Sequence, residues 1–181
     1  MKTHIALLRG VNVGGNKKVA MADLRAFVGA LGFQEPRTLL QSGNLVFRSD
    51  GQRDNGALET FLDEQAAEHL GLRTKFLVRT VSEWAEVIAR NPFPEAARTH
   101  PGRLLVVFFR EPPTFEAVQT LRGAMIASER IHPDGKQLYA SLPDGIGDSK
   151  MAAVLVSPRF SKEATGRNWN TVFKLGALAG C

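Results

Sequence analysis

The sequence predicts an α+β protein of two tandem ferredoxin-like (βαββαβ) units, each an antiparallel four-stranded sheet with helices on one face. Three observations carry this. Between His4 and Val78, strand-like apolar runs and helical spacings follow the order β-α-β-β-α-β. The same order returns between Leu104 and Thr165. Each half also holds a tight turn between two short strands, Gln41-Ser42-Gly43-Asn44 in the first and Pro133-Asp134-Gly135 in the second, as the split βαβ arrangement requires. The repeat is one of element order, with little residue identity between the halves.

His4 to Arg9 reads as the first strand, followed by the loop Arg9-Gly10-Val11-Asn12-Val13-Gly14-Gly15-Asn16-Lys17-Lys18. Met21, Leu24, Phe27, Val28 and Leu31 recur at helical spacing, with Gly32 as the C-terminal cap. Thr38 to Leu40 and Leu45 to Phe47 form the hairpin. Asn55 is the predicted N-cap of a helix carrying Leu58, Phe61, Leu62 and Leu70, and Gly71 is its stop. Thr74 to Val78 closes the unit. Thr80-Val81-Ser82-Glu83 has the pattern of a capping box, opening a connecting helix through Arg90. Asn91-Pro92-Phe93-Pro94 breaks that helix, and Arg98 to Gly102 reads as exposed loop.

In the second half, Leu104 to Phe109 is an apolar strand, and Phe115, Val118, Leu121 and Met125 mark a helix. Arg130 to His132 and Gln137 to Leu142 form the second hairpin. Asp148 is the predicted cap of a helix carrying Met151, Val154 and Leu155. A last strand falls near Ala164-Thr165, and Asn168 caps a final helix with Trp169, Val172, Phe173 and Leu175. The predicted division is residues 1–80 as first half, 81–102 as connecting helix and loop, and 103–181 as second half with the C-terminal helix.

Composition narrows the class. With 44% apolar and 23% charged residues, the 181-residue chain has the balance of a soluble globular protein. No apolar run approaches the ~18 residues of a spanning helix, and Arg9 ends the first run too early for a signal peptide. The expected compartment is the cytoplasm, with no membrane partner. The lone Cys181 excludes an intrachain disulfide and thiolate metal sites. His4, His69, His100 and His132 lack metal-ligand spacing, so no metal and no cofactor is expected. A net charge of +5 and a pI near 9.7 favour phosphorylated ligands or polyanions as partners.

The chemistry concentrates in the loop at residues 9–18. Its three glycines and two asparagines tolerate positive φ and let backbone N–H groups converge, while Arg9, Lys17 and Lys18 add charge. Such a loop between strand and helix can cradle an anion; the plainer reading is a β–α connection whose glycines serve turn geometry. It is not a nucleotide-triphosphatase P-loop, because Asn16 and Lys17 stand where Lys and Ser or Thr are required. A second constellation, Arg167-Asn168-Trp169-Asn170-Thr171, crowds polar groups at a helix start, where Arg167 could hold a phosphate or carboxylate. Its alternative is an N-cap beside a tryptophan anchor. Nucleic acid enters as a further partner class if Tyr139 stands on an open sheet face beside Phe108 or Phe109, as in modules that stack bases on sheet aromatics.

The stretches Leu7-Leu8-Arg9-Gly10-Val11-Asn12-Val13-Gly14-Gly15, Gln41-Ser42-Gly43-Asn44-Leu45-Val46-Phe47, Asn91-Pro92-Phe93-Pro94 and Arg167-Asn168-Trp169-Asn170-Thr171-Val172 together resemble the bacterial family of domain of unknown function 1697. The resemblance spans essentially the whole chain and implies two duplicated ferredoxin-like halves, with no activity attached. Ala20 departs from the proline of the family pattern. The motif positions point to Arg9, Asn12, Gly14, Gly15, Lys17, Ser42, Asn44, Arg167, Asn168 and Asn170 as ligand-binding residues sharing one cleft. The function expected is binding of a phosphorylated small molecule or nucleotide. The alternatives are single-stranded nucleic-acid binding on the sheet face, or a metal-independent enzyme acting on a phosphorylated substrate, for which no general base stands out.

Overall fold

The computed structural model describes residues 1–13, 17–155, 157, 160 and 162–181. The chain divides into two compact units, Met1–Glu86 with Leu175–Cys181, and Val87–Lys174. The first unit contains β1 (Lys2–Leu8), α1 (Met21–Ala30), β2 (Gln34–Leu39), β3 (Asn44–Ser49), α2 (Asn55–Leu70) and β4 (Phe76–Thr80). Its sheet is antiparallel in the order β2-β3-β1-β4. The chain continues through α3 (Val81–Ala89) and α4 (Pro94–Thr99) to β5 (Leu104–Phe109), α5 (Phe115–Ala124), β6 (Arg130–Asp134), β7 (Gln137–Ser141), α6 (Lys150–Leu155), β8 (Ala164–Asn168) and α7 (Trp169–Ala179). The second sheet has the equivalent order β6-β7-β5-β8. Both are ferredoxin-like, as the element order predicts.

Each unit has its own core, built by the two-residue period of its strands. Ala6 and Leu8 of β1 join Leu45, Phe47, Phe76 and Val78 beneath Leu24, Phe27, Val28, Leu58 and Leu62 of α1 and α2. In the second unit, Val107, Phe109, Leu138 and Ala140 pack against Leu121, Met151 and Leu155. Burying the leucine, valine, phenylalanine and methionine side chains among these contributes about 1.5–3 kcal/mol each.

The outer edge of the first sheet is closed by carboxylates. Alternate N–H groups of edge strand β4 point away from β1. Those of Phe76, Val78 and Thr80 donate to Asp63 Oδ1 (2.8 Å), Glu59 Oε1 (2.8 Å) and Glu83 Oε2 (2.7 Å). Glu59 and Asp63 lie one turn apart on α2, so one helix face serves two donors. Glu83 completes the predicted capping box, its own N–H donating to Thr80 Oγ1 at 3.2 Å. Burial alone would raise the Glu83 carboxyl, but hydrogen bonds from Thr80 and Asn55 hold it below the ordinary value.

Three local expectations are corrected. Asp54, not Asn55, caps α2 by accepting from Ala57 N (2.8 Å), which frees Asn55 to donate to Glu83 Oε2 (2.7 Å). Ser149, not Asp148, caps α6 by accepting from Ala152 N (3.0 Å), while its hydroxyl bonds to buried Glu129. Arg98 to Gly102 is largely exposed but is not irregular loop: Arg98 and Thr99 end α4, which proline at its first position favours, and Pro101–Arg103 form a 3₁₀ turn.

His4 is buried, stacked on Phe47 at 5.5 Å, with Nε2 2.9 Å from Ser49 Oγ. Its Nδ1 has no hydrogen-bond partner among the described residues. Burial, then the charge of Lys2, push its pKa below the ordinary 6.5, against a smaller opposing effect of Glu83. The unfolded chain therefore takes up the proton first as pH falls. Stability is expected to hold above about pH 7 and to drop below pH 6.5, by at most about 1.4 kcal/mol per pH unit. Urea denaturation between pH 8 and 5 measures this slope, and His4→Gln should flatten it.

Candidate functional site

The loop after β1 is held at both ends by backbone and side-chain bonds. Arg9 N donates to Lys75 O (2.9 Å) and Arg9 O accepts from Thr74 Oγ1 (2.7 Å). Asn12 sits in the left-handed region (φ +55°), as asparagine tolerates. Its N–H donates to Lys17 O at 3.2 Å. Its side-chain amide donates to Val19 O (2.9 Å) and Gln41 O (2.7 Å), and its Oδ1 accepts from Val19 N (3.0 Å). Asn12 thus ties the loop entry to the loop exit and to the β2–β3 turn.

That turn approaches closely. Gly43 O accepts from Leu8 N at 2.8 Å. Asn44, fully buried, donates to Leu39 O (2.9 Å) and Ser42 Oγ (3.0 Å). Leu40 (φ +58°) and Lys17 (φ +53°) are further left-handed non-glycine residues here.

Where the loop enters α1, a cleft of about 410 Å³ opens, lined by Asn12, Lys18, Val19, Ala20, Asp23, Leu70 and Leu72. The volume falls in the range of about 300–1,000 Å³ expected of small-molecule sites. Lys18 and Asp23 supply opposite charges, and Leu70 with Leu72 an apolar wall from the end of α2. Ala20 places no side-chain cap on α1, whereas Thr114 caps α5 by accepting from Ala117 N at 3.2 Å.

Of the residues singled out from sequence, Arg9, Asn12, Lys17, Ser42 and Asn44 belong to the first unit, where Asn12 reaches the cleft and Ser42 and Asn44 build the adjoining turn. Gly14 and Gly15 lie outside the described residues. Arg167, Asn168 and Asn170 belong to the second unit. Arg167 lies on β8 rather than at the helix start, is 8% exposed, and donates to Thr165 Oγ1 (2.7 Å) and Gly166 O (2.8 Å). Burial pushes its guanidinium down to about 10. Asn168 is the predicted cap of α7, accepting from Thr171 N (3.0 Å) and Oγ1 (3.1 Å). Asn170 is exposed on α7.

The open-face expectation for Tyr139 is corrected. Its ring is 0% exposed, its hydroxyl donates to Val87 O (2.8 Å), and burial pushes the phenol up to about 12. Phe108 shares that face of the sheet and is equally buried, while Phe109 belongs to the helix-side core. None of the three rings is available for stacking a base. Among the described residues no group of three His, Cys, Asp or Glu could hold a metal ion, and no helix is long and apolar enough to cross a membrane.

Of the cleft lining, the sequence reading names only Asn12 as a ligand-binding residue and Lys18 as a loop charge; it misses Val19, Ala20, Asp23, Leu70 and Leu72. Asp23 reads as an ordinary first-turn acid and the leucines as helix-end core. Only their approach to the loop gives them a second role.

Duplicated ferredoxin-like units, the first carrying a polar loop and cleft beyond its first strand, define the class of protein. The chain belongs to the DUF1697 family of proteins of unknown function, whose model matches residues 1–139. No curated protein matches it. Among solved structures it is similar to the conserved bacterial protein SP0830 from Streptococcus pneumoniae, with a TM-score of 0.78, 21% identity and 98% of each chain covered. At that identity the likeness speaks for the fold.

The turn supplies a direct test of the loop's packing. A Cβ on Gly43 (φ +71°) would lie 2.5 Å from Val11 Cγ2 and 2.7 Å from Leu8 Cβ. Gly43→Ala should cost about 2–4 kcal/mol in chemical denaturation, from overpacking plus left-handed backbone. Gly71→Ala (φ +61°), with nothing within 4 Å, should cost only about 1–2 kcal/mol.

Proposed function

We propose that the first unit binds a phosphorylated small molecule or nucleotide in the cleft at the exit of the 9–18 loop. One observation carries the reading: the segment richest in anion-binding composition borders a cleft of ligand size, and Lys18 lines it. Lys18 supplies charge at the cleft. Asn12 holds the loop in shape, and Leu70 and Leu72 receive the apolar body of the ligand. The second-unit residues Arg167 and Asn168 serve strand and helix-cap roles in this reading. The lone cysteine supports a cytoplasmic setting.

Titration calorimetry of the full chain with adenosine 5′-monophosphate at low salt tests the proposal. Binding should be measurable and should weaken as ionic strength rises. Lys18→Ala should lower affinity about tenfold, the loss of one charged contact worth about 1.4 kcal/mol. Absence of heat at millimolar ligand and low salt overturns it.

A further inference from the structure

The cleft carries a feature that a simple anion site does not need. Asp23, exposed in the first turn of α1, lines the same cavity as Lys18. A carboxylate there accepts hydrogen bonds and repels negative charge. Together the two side chains leave the lining near neutral, with an anion-seeking group and a donor-seeking group on one cavity. Val19, Ala20, Leu70 and Leu72 add apolar surface to it.

We propose that Asp23 is the specificity-determining residue of the cleft, admitting phosphate monoesters whose apolar body carries a hydroxyl or amino donor and turning away polyphosphates. The inference rests on the reading of the cleft as a phosphate-ester site and deepens it. A nucleoside monophosphate satisfies all three demands: its phosphate meets Lys18, its ring lies on the leucines, and a ribose hydroxyl or exocyclic amine donates to Asp23. Inorganic phosphate offers nothing to the apolar wall. A triphosphate adds charges that one lysine does not balance and that Asp23 repels.

An acid in a first helical turn also stabilises the helix through its dipole, so the test must separate the two roles. Adenosine 5′-monophosphate, adenosine 5′-triphosphate and inorganic phosphate are titrated into the wild-type chain and into Asp23→Asn, and the melting temperature of each protein is recorded. The wild type should prefer the monophosphate by about tenfold over the other two. Asp23→Asn should gain about tenfold for the triphosphate while losing affinity for the monophosphate, so that the preference closes or reverses. If the wild type binds the mono- and triphosphate alike, or the variant weakens every ligand in step with a lower melting temperature, Asp23 acts on the helix alone and the inference falls while the cleft reading stands. If no phosphate compound binds the wild type, both fall together.

Discussion

The loop that borders the cleft takes its position from the close approach of one glycine. Gly43 turns the chain at φ +71°, its carbonyl receives the N–H of Leu8, and its Cα leaves no room for a methyl group against Val11 and Leu8. That contact seats the β2–β3 turn on the start of the loop. Gln41 O then lies within 2.7 Å of the Asn12 amide, and Asn12 reaches across to both backbone groups of Val19. Lys17 and Leu40 in left-handed backbone each cost about 1–2 kcal/mol, and Asn12 less; hydrogen bonds of about 0.5–1.5 kcal/mol apiece offset this. The wall formed by Asn12 and Val19 follows from this arrangement.

The two units show how one topology carries different surfaces. In the second, a cavity of about 190 Å³ lies at the corresponding strand-to-helix connection, lined by Phe109, Glu111, Pro112, Pro113, Thr114, Ala117 and Phe160. Prolines and a threonine cap occupy the connection that in the first unit is long and rich in glycine and lysine. Ferredoxin-like order fixes where a loop leaves the sheet, and the residues of that loop decide whether anything binds there.

Each sheet also protects one of its edges. Asp63, Glu59 and Glu83 take the outward N–H groups of β4, so the strand offers no ladder to another chain. At β6 the device is Pro133, which sits within the edge strand rather than in the turn and has no N–H to donate. The carboxylates of α2 therefore support the fold, whereas Asp23 of α1 faces the cleft.

Element order, the capping box at Thr80 and Glu83, the αL stop at Gly71 and the cap at Asn168 were legible in the chain itself. Each depends on residues within a few positions of one another, and strand and helix periods are local properties. Other features were not legible. Asp54 caps α2 in place of Asn55, whose amide instead donates to a carboxylate 28 residues away. The rings of Tyr139 and Phe108 are buried, although both lie on the face of the sheet opposite the helix-side Leu138 and Ala140. Asn12 was visible as a loop residue, but its bonds to Gln41 and Val19 were not, and Leu70 and Leu72 became a cleft wall only through packing. The sequence by itself determined the duplicated fold and the segment that carries the polar loop. The tertiary structure decided which side chains meet there, because a cleft is made by segments distant in the chain whose approach depends on packing, not on period.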